Sequence, residues 1–176
     1  MIEMSQKIES AMKKISVAKV VLNMGVGKSG EPIEKAKRAL QQIAGQQPCS
    51  RIAKATQRDW GVHKGEPIGV AVTIRKQAAI ELIKRLLAAK GNQIKASSFD
   101  DFGNVSFGIK EYIDIPGVKY DPNIGILGLD VSIVLARPGF NIRFRSKHKA
   151  SVGHHHRIST EDAKEFLAHE FGVRVV

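Results

Sequence analysis

Apolar and polar residues alternate along several stretches of the chain, and a period of two is typical of β-strands with one buried face. Between residues 17 and 24 the even-numbered residues, beginning with Ala18, are apolar. The odd-numbered residues, from Val17 through Lys19 to Asn23, form a more polar face. The same alternation predicts further strands at 67–75, 104–110 and 127–135.

A weaker strand signal lies at about 49–55, ahead of the strand at 67–75. The polar segment between them, QRDWGVHKGE at about 57–66, is rich in turn-forming residues. This arrangement predicts a hairpin with a long tip. We refer to residues 57–66 as the hairpin loop.

Apolar residues also recur at the spacing of amphipathic helices. One such stripe runs from Ile2 to Ile15, a second follows Pro32 and ends at Gly45, and a third ends at Gly91. A last helix is predicted to begin at Ser159, because Asp162 three residues later completes the pattern of a capping box.

Strands with one apolar face, interleaved with amphipathic helices, predict an α+β fold in which helices cover one face of an antiparallel sheet. The whole chain, 1–176, is expected to form a single domain. The other sheet face would consist of Gly, Ala, Ser, Thr and Asn with a few cations. Such a face could accept a large flat partner, or it could be the ordinary solvated face of an antiparallel sheet.

The formal net charge of +11 indicates a polyanionic partner. A membrane is not expected, because no run of about 18 apolar residues is present and the first residues lack the apolar core of a signal peptide. We therefore predict a cytoplasmic protein. Cys49 is the single cysteine, so neither an internal disulfide nor a cysteine-rich zinc site is expected.

Positive charge is concentrated in residues 131–160, which contain no Asp or Glu. The long loop at about 137–158, which we call the basic insert, leads back into the capped last helix. A segment of one charge sign with interspersed aromatic residues is typical of contact with a phosphate backbone. Its predicted RNA-contacting residues are Arg137, Arg143, Arg145, Lys147, Lys149 and Arg157.

Two signals for other chemistry are weaker. The run His154–His156 could suggest a metal, but adjacent residues point in different directions and zinc ligands are usually spaced further apart. The segment GVGKSG resembles part of a phosphate-binding loop, yet the complete motif requires Gly at the position of Leu22. We expect no metal, no cofactor and no catalytic residues. The alternative to a non-enzymatic RNA-binding protein is an enzyme, either an NTPase that uses GVGKSG or an RNA-processing enzyme guided by the basic insert.

Four segments, VLNMGVG, IAGQQP, KGEPIGVAVTIR and FGNVSFGIKEYIDIPGVKYD, occur in an order and spacing that resembles the L5 family of the large ribosomal subunit. The resemblance covers nearly the whole chain. The basic insert resembles the archaeal and eukaryotic branch, and an archaeal type is expected. The resemblance implies a structural ribosomal protein that binds 5S rRNA in the central protuberance and contacts the large-subunit rRNA and neighbouring ribosomal proteins. A regulatory RNA-binding protein that acts off the ribosome is a further possibility.

The resemblance also implies particular contacts. Family positions that touch 5S rRNA correspond to Asn23, Gln46 and Thr73. Neighbouring cations extend this group, so the expected 5S rRNA-binding residues are Lys19, Asn23, Lys28, Gln46, Thr73 and Arg75.

In the family, the hairpin loop reaches toward the elbow of tRNA in the peptidyl site. The corresponding residues are Arg58, Trp60, His63 and Lys64. Trp60 could stack on a base or ribose, or it could instead anchor the loop against its own hairpin. The resemblance implies no individual contacts for the basic insert, whose expected RNA role is based on charge.

Overall fold

A computed structural model describes residues 10–176, and its centre is an antiparallel sheet of five strands. In chain order the strands are β1 (Ser16–Gly25), β2 (Cys49–Ile52), β3 (Pro67–Ile74), β4 (Gln93–Ile94), β5 (Val105–Ile109), β6 (Leu129–Ala136) and β7 (Arg174–Val175). The five-stranded sheet has the order β2-β3-β1-β6-β5, and the short strands β4 and β7 form a separate parallel pair. The longest strand, β1, therefore occupies the middle of the sheet.

Three α-helices accompany the sheet, namely α1 (Glu31–Ala44), α2 (Lys76–Ala89) and α3 (Thr160–Phe171). Helix α1 packs against β3, and α2 packs against β1. Their buried side chains join those of the strands and of α3 in one hydrophobic core. These features confirm the predicted α+β fold with helices on one sheet face.

The ends of the helices follow the predicted capping signals. Gly45 adopts a left-handed conformation, and its N–H donates to the carbonyl of Gln41. At the start of α3, the Ser159 hydroxyl accepts from the N–H of Asp162, and the Asp162 carboxylate accepts from the N–H of Ser159. This capping box fixes the point at which the basic insert rejoins the core.

The prediction of strict alternation in β1 was wrong at Val17 and Ala18. The register with β6 shifts between Val17 and Lys19, which makes Ala18 an extra residue in the ladder. Val17 consequently packs against the core, whereas Ala18 and Lys19 both lie on the opposite side. A bulge of this kind inserts one residue and reverses the faces of those before it.

Two other predicted boundaries changed. Strand β2 ends at Ile52, after a register shift between Arg51 and Ile52, although the N–H of Ala53 still donates to the carbonyl of Glu66. Residues 1–9 lie outside the described residues, so most of the predicted first helix cannot be compared. Within its described end, Ala11–Lys13 form a 3₁₀ turn capped by Ser10.

In the part of the chain that the structure covers, no helix has the length and apolar character needed to span a membrane.

Candidate RNA interface

The sheet face away from the helices carries the predicted polar residues of β1 and β3. Directly paired residues of antiparallel strands point to the same face. Asn23 pairs with Ala71 of β3 and Asp130 of β6, and Val21 pairs with Thr73. Asn23 and Thr73 are thus diagonal neighbours on this surface, which we call the open face.

Small side chains continue the open face toward the edge strand β5. Ser132 pairs with Ser106, and their hydroxyl oxygens are 3.1 Å apart. Gly108 pairs with Asp130 and leaves that carboxylate uncovered. The surface therefore offers hydroxyl, amide and carboxylate groups at nearly the level of the backbone, where they can reach the edges of bases and riboses.

At one end of the open face, the basic insert forms the wall of a groove of about 1160 Å³. Lys19 and Arg75 enter this groove from the sheet, and Arg143, Lys149 and Arg157 enter it from the insert. Of the described residues that line it, none is acidic. We call this cavity the basic groove, and it brings together cations that are far apart in sequence.

The basic insert is held in shape by its own hydrogen bonds. Arg145 Nε donates to the carbonyl of His148 at 2.7 Å, and Arg157 Nε donates to the carbonyl of Val152 at 3.2 Å. His156 Nε2 lies 2.8 Å from the carbonyl of Pro138. The insert is therefore a folded element, although Arg145 and Lys147 remain exposed and do not line the groove.

Arg137 connects the insert to α3. Its guanidinium lies 2.9 Å from the Asp162 carboxylate and also donates to the carbonyl of Arg157 at 3.1 Å. Only 12% of its side chain is exposed. Burial would raise the pKa of Asp162, but hydrogen bonds from Ser159 and the charge of Arg137 together hold it below its usual range. The contacts of Arg137 thus tie both ends of the insert to α3.

The hairpin loop is ordered by a small hydrogen-bond network. Glu66 accepts from the N–H of His63 at 3.0 Å and from the hydroxyl of Ser29. These two hydrogen bonds, the one from His63 first, lower the pKa of Glu66. Lys28 precedes Ser29 in the same turn, so this network places Lys28 close to the hairpin loop.

Trp60 is 78% exposed at the tip of this loop. It is the last residue of the 3₁₀ turn Arg58–Trp60, which the left-handed Gly61 ends. With this exposure, Trp60 does not anchor the loop against its own hairpin, so that alternative is wrong. Arg58, His63 and Lys64 are exposed around it.

Gln46 differs from the other predicted 5S rRNA-binding residues because it does not lie on a strand. It is exposed in the segment between α1 and β2. The structure therefore groups Asn23 with Thr73 and Lys19 with Arg75, whereas Gln46 and Lys28 lie in connecting segments.

The GVGKSG segment does not have the surroundings of a nucleotide site. Leu22 is fully buried within β1. The first turn of α1 carries Glu31 and Glu34, and Glu31 pairs with Lys35 at 2.9 Å. Two carboxylates at a helix N-terminus repel the phosphate that a nucleotide-binding loop would place there.

Metal binding has no support within residues 10–176, where no group of three His, Cys, Asp or Glu side chains is arranged to hold an ion.

Three residues of this surface were not among the RNA-contacting residues predicted from the sequence. Asp130 is the only acidic residue in the sequence of the five sheet strands, and Phe102 and Phe144 line the basic groove. The period of two in residues 127–135 puts Asp130 on the face opposite to the apolar one, but this pattern does not show that Asp130 lies beside Asn23. The two phenylalanines are 42 positions apart, and only the folded insert brings them to one cavity.

The sequence of the chain is similar to known proteins over nearly its whole length. Residues 10–63 match the family model described as ribosomal protein L5, and residues 67–169 match the model for the C-terminus of the same ribosomal family. The large ribosomal subunit protein uL5 of Nitrosopumilus maritimus is 67% identical over 98% of this chain and 99% of its own length. The uL5 of Cenarchaeum symbiosum is 64% identical over 94% and 98%, and that of Sulfurisphaera tokodaii is 51% identical over 94% of both chains.

These similarities confirm the expected archaeal type of ribosomal protein, and they make the enzyme alternative wrong. The matched ranges include the strands of the open face, residues 57–63 of the hairpin loop and the basic insert. The chain belongs to the ribosomal protein L5 family, a structural and non-enzymatic component of the large ribosomal subunit.

Proposed function

We propose that this chain binds 5S rRNA through its open face and attaches it to the large-subunit rRNA in the central protuberance of the cytoplasmic ribosome. The observation that carries the proposal is the pairing of β1 with β3 and β6, which makes Asn23 and Thr73 diagonal neighbours on an uncovered surface. Neutral polar groups on a flat surface suit the recognition of base edges and riboses, whereas the cations around them supply affinity for any RNA.

Filter binding of 5S rRNA to the full chain tests this proposal. Replacing Asn23, Gln46 and Thr73 together by Ala is expected to weaken 5S rRNA binding while leaving affinity for an unrelated RNA of equal length nearly unchanged. The matched control replaces Gln42, Gln77 and Asn123, which are exposed neutral residues away from the open face. Equal losses on both RNAs would count against the assignment.

The second part of the proposal is that the hairpin loop contacts peptidyl-site tRNA. An exposed Trp60 flanked by Arg58, His63 and Lys64 can stack on a base or ribose while the cations meet phosphates. Because Trp60 is the single tryptophan, its intrinsic fluorescence reports on this loop alone. A tRNA elbow fragment is expected to quench it, and Lys64→Ala should shift the quenching to higher RNA concentration.

The third part is that the basic insert contacts the large-subunit rRNA, with neighbouring ribosomal proteins as further partners. Its support is the absence of acidic residues from 131 to 160. Sucrose-gradient sedimentation of the chain with large subunits tests this role and separates it from that of a free regulatory protein. A chain that remains at the top of the gradient would contradict assembly into the subunit.

A further inference from the structure

The basic groove contains exposed aromatic rings, which the open face lacks. Phe102 is 57% exposed and Phe144 is 75% exposed, although both side chains are large and apolar. Phe102 reaches the groove from the turn before β5, and Phe144 reaches it from the basic insert. Neither ring contributes to the hydrophobic core, so folding alone does not explain their placement.

Local structure fixes the position of Phe102. The Asp100 carboxylate accepts from the N–H groups of Phe102, at 3.0 Å, and Asn104, at 2.6 Å. Gly103 has a φ of +73°, and a Cβ there would collide with the buried Ile158 at the end of the insert. The turn is thus packed tightly against the insert, and it presents the ring of Phe102 outward.

Phe144 is held by a different set of contacts. Its N–H donates to the carbonyl of Asn141 at 3.0 Å. The guanidinium carbon of Arg143 lies 5.2 Å from the centre of its ring, within the distance of a cation–π contact. A ring with a cation beside it is a platform on which a base can stack while its phosphate is neutralised.

These features together indicate one class of ligand. The described lining residues include five cationic side chains and no Asp or Glu, which favours binding of a polyanion. The exposed aromatic rings favour a ligand with flat apolar faces that can stack on them. A nucleic acid offers such faces only where its bases are unpaired. An acidic peptide would match the charges but would leave the rings uncovered.

We propose that the basic groove binds unpaired RNA nucleotides, with bases stacked on Phe102 and Phe144 and phosphates held by Lys19, Arg75 and Lys149. This inference rests on the proposed function, since the RNA is that of the large subunit. It adds a site at the end of the sheet, separate from the surface around Asn23.

The test measures binding of the full chain to a short single-stranded RNA that carries the fluorescent base 2-aminopurine. Phe102→Ala and Phe144→Ala are each expected to lower affinity roughly 5- to 150-fold, as for loss of one base–aromatic stack, and to reduce the quenching that accompanies stacking. The matched control is Tyr120→Ala, because Tyr120 is 55% exposed and lies outside the groove. Circular dichroism verifies that each variant is folded.

A blunt RNA duplex of the same length is the second probe, and the two substitutions should change its affinity less than about twofold. Equal losses on duplex and single strand, unchanged single-strand binding, or tighter binding of a polyglutamate peptide than of the strand would each overturn the inference.

Binding of wild type to 5S rRNA is measured in parallel. If wild type binds 5S rRNA while the substitutions have no effect on the single strand, the groove inference fails and the proposed function stands. If wild type does not bind 5S rRNA but the substitutions still weaken single-strand binding, the proposed function fails instead.

Discussion

Asn23 lies directly across from Asp130, so an amide and a carboxylate are adjacent on a surface proposed to meet RNA. A carboxylate repels phosphates, but it can accept hydrogen bonds from base amino groups or ribose hydroxyls. On the proposed RNA-binding face, this carboxylate would repel the phosphate backbone of an incorrectly placed RNA. Asp130 is therefore expected to lower the affinity for unrelated RNA and so to increase the preference for the correct RNA.

Asp130→Asn is accordingly expected to raise affinity for unrelated RNA about two- to fivefold at low salt, because an exposed charge repels a nearby phosphate by about 1 kcal/mol. The gain should diminish as salt increases. Filter binding over a salt series checks this result. Glu170→Gln on α3 removes an exposed charge away from the open face and should have a smaller effect. An unchanged affinity for unrelated RNA in Asp130→Asn would refute the repulsion.

Arg137 and Lys147 belong to the same basic insert but differ in their surroundings. Arg137→Ala removes a largely buried partner of Asp162, and we expect a loss of about 1–3 kcal/mol in the free energy of unfolding, between the values for surface and buried pairs. Lys147→Ala removes an equal charge from an exposed position and should change stability by less than about 0.5 kcal/mol. Urea denaturation distinguishes the two, and equal effects would contradict the structural role of Arg137.

At the scale of elements, the strands and helices with clear periodicity could be predicted, including the capping box at Ser159 and the cap at Gly45. The bulge at Ala18 could not, because an extra residue leaves the local alternation intact and becomes visible only through pairing with β6. The basic insert has no period of either kind, so its internal hydrogen bonds and its position over the sheet were not predictable.

The carboxylate of Glu66 is one of the groups that order the hairpin loop, together with the backbone pairing of Gln57 with Val62 and the hydrogen bond from the Lys64 N–H to the Thr56 hydroxyl. The pKa of Glu66 is lowered by its hydrogen bonds, so their stabilising contribution is complete above the ordinary Glu pKa and is lost as the pH falls through the lowered value. At neutral pH, Glu66→Gln is expected to speed hydrogen exchange of the His63 amide and to lower the fluorescence anisotropy of Trp60. Glu81→Gln on α2 is the control. Unchanged exchange at His63 would show that the loop is held by other contacts.

For the whole molecule, the strand order β2-β3-β1-β6-β5 decides which side chains meet, and sequence alone did not contain that order. Asn23 and Thr73 could be assigned to polar faces from alternation alone. Their adjacency, and the joining of Lys19 and Arg75 with the insert around one groove, depend on β1 lying between β3 and β6. For this reason the sheet face of candidate residues such as Asn23 and Thr73 could be predicted from sequence, but the grouping of the candidate residues could not.

The charge distribution of the whole molecule supports a further prediction. Arg145 and Lys147 are exposed on the insert, and replacing both by Ala should reduce the slope of log affinity against log salt by about 1.4–1.8 if each neutralises one phosphate. Discrimination between 5S rRNA and unrelated RNA should persist. Arg38→Ala with Lys84→Ala, on the helical side, is the control that should leave the slope nearly unchanged. An unchanged slope in the insert variant would contradict phosphate contact there.

Arg137 Nη1 lies 3.1 Å from the carbonyl oxygen of Arg157, so a side chain at the start of the insert contacts the backbone near its end. The two points at which the chain leaves the core and returns to it are thus within the reach of one arginine side chain. A loop closed in this way can be lengthened at little cost, since each doubling of its length adds only about 0.6 kcal/mol of closure entropy. The exposed segment of the insert can therefore change in length and sequence while the sheet that carries it keeps its register.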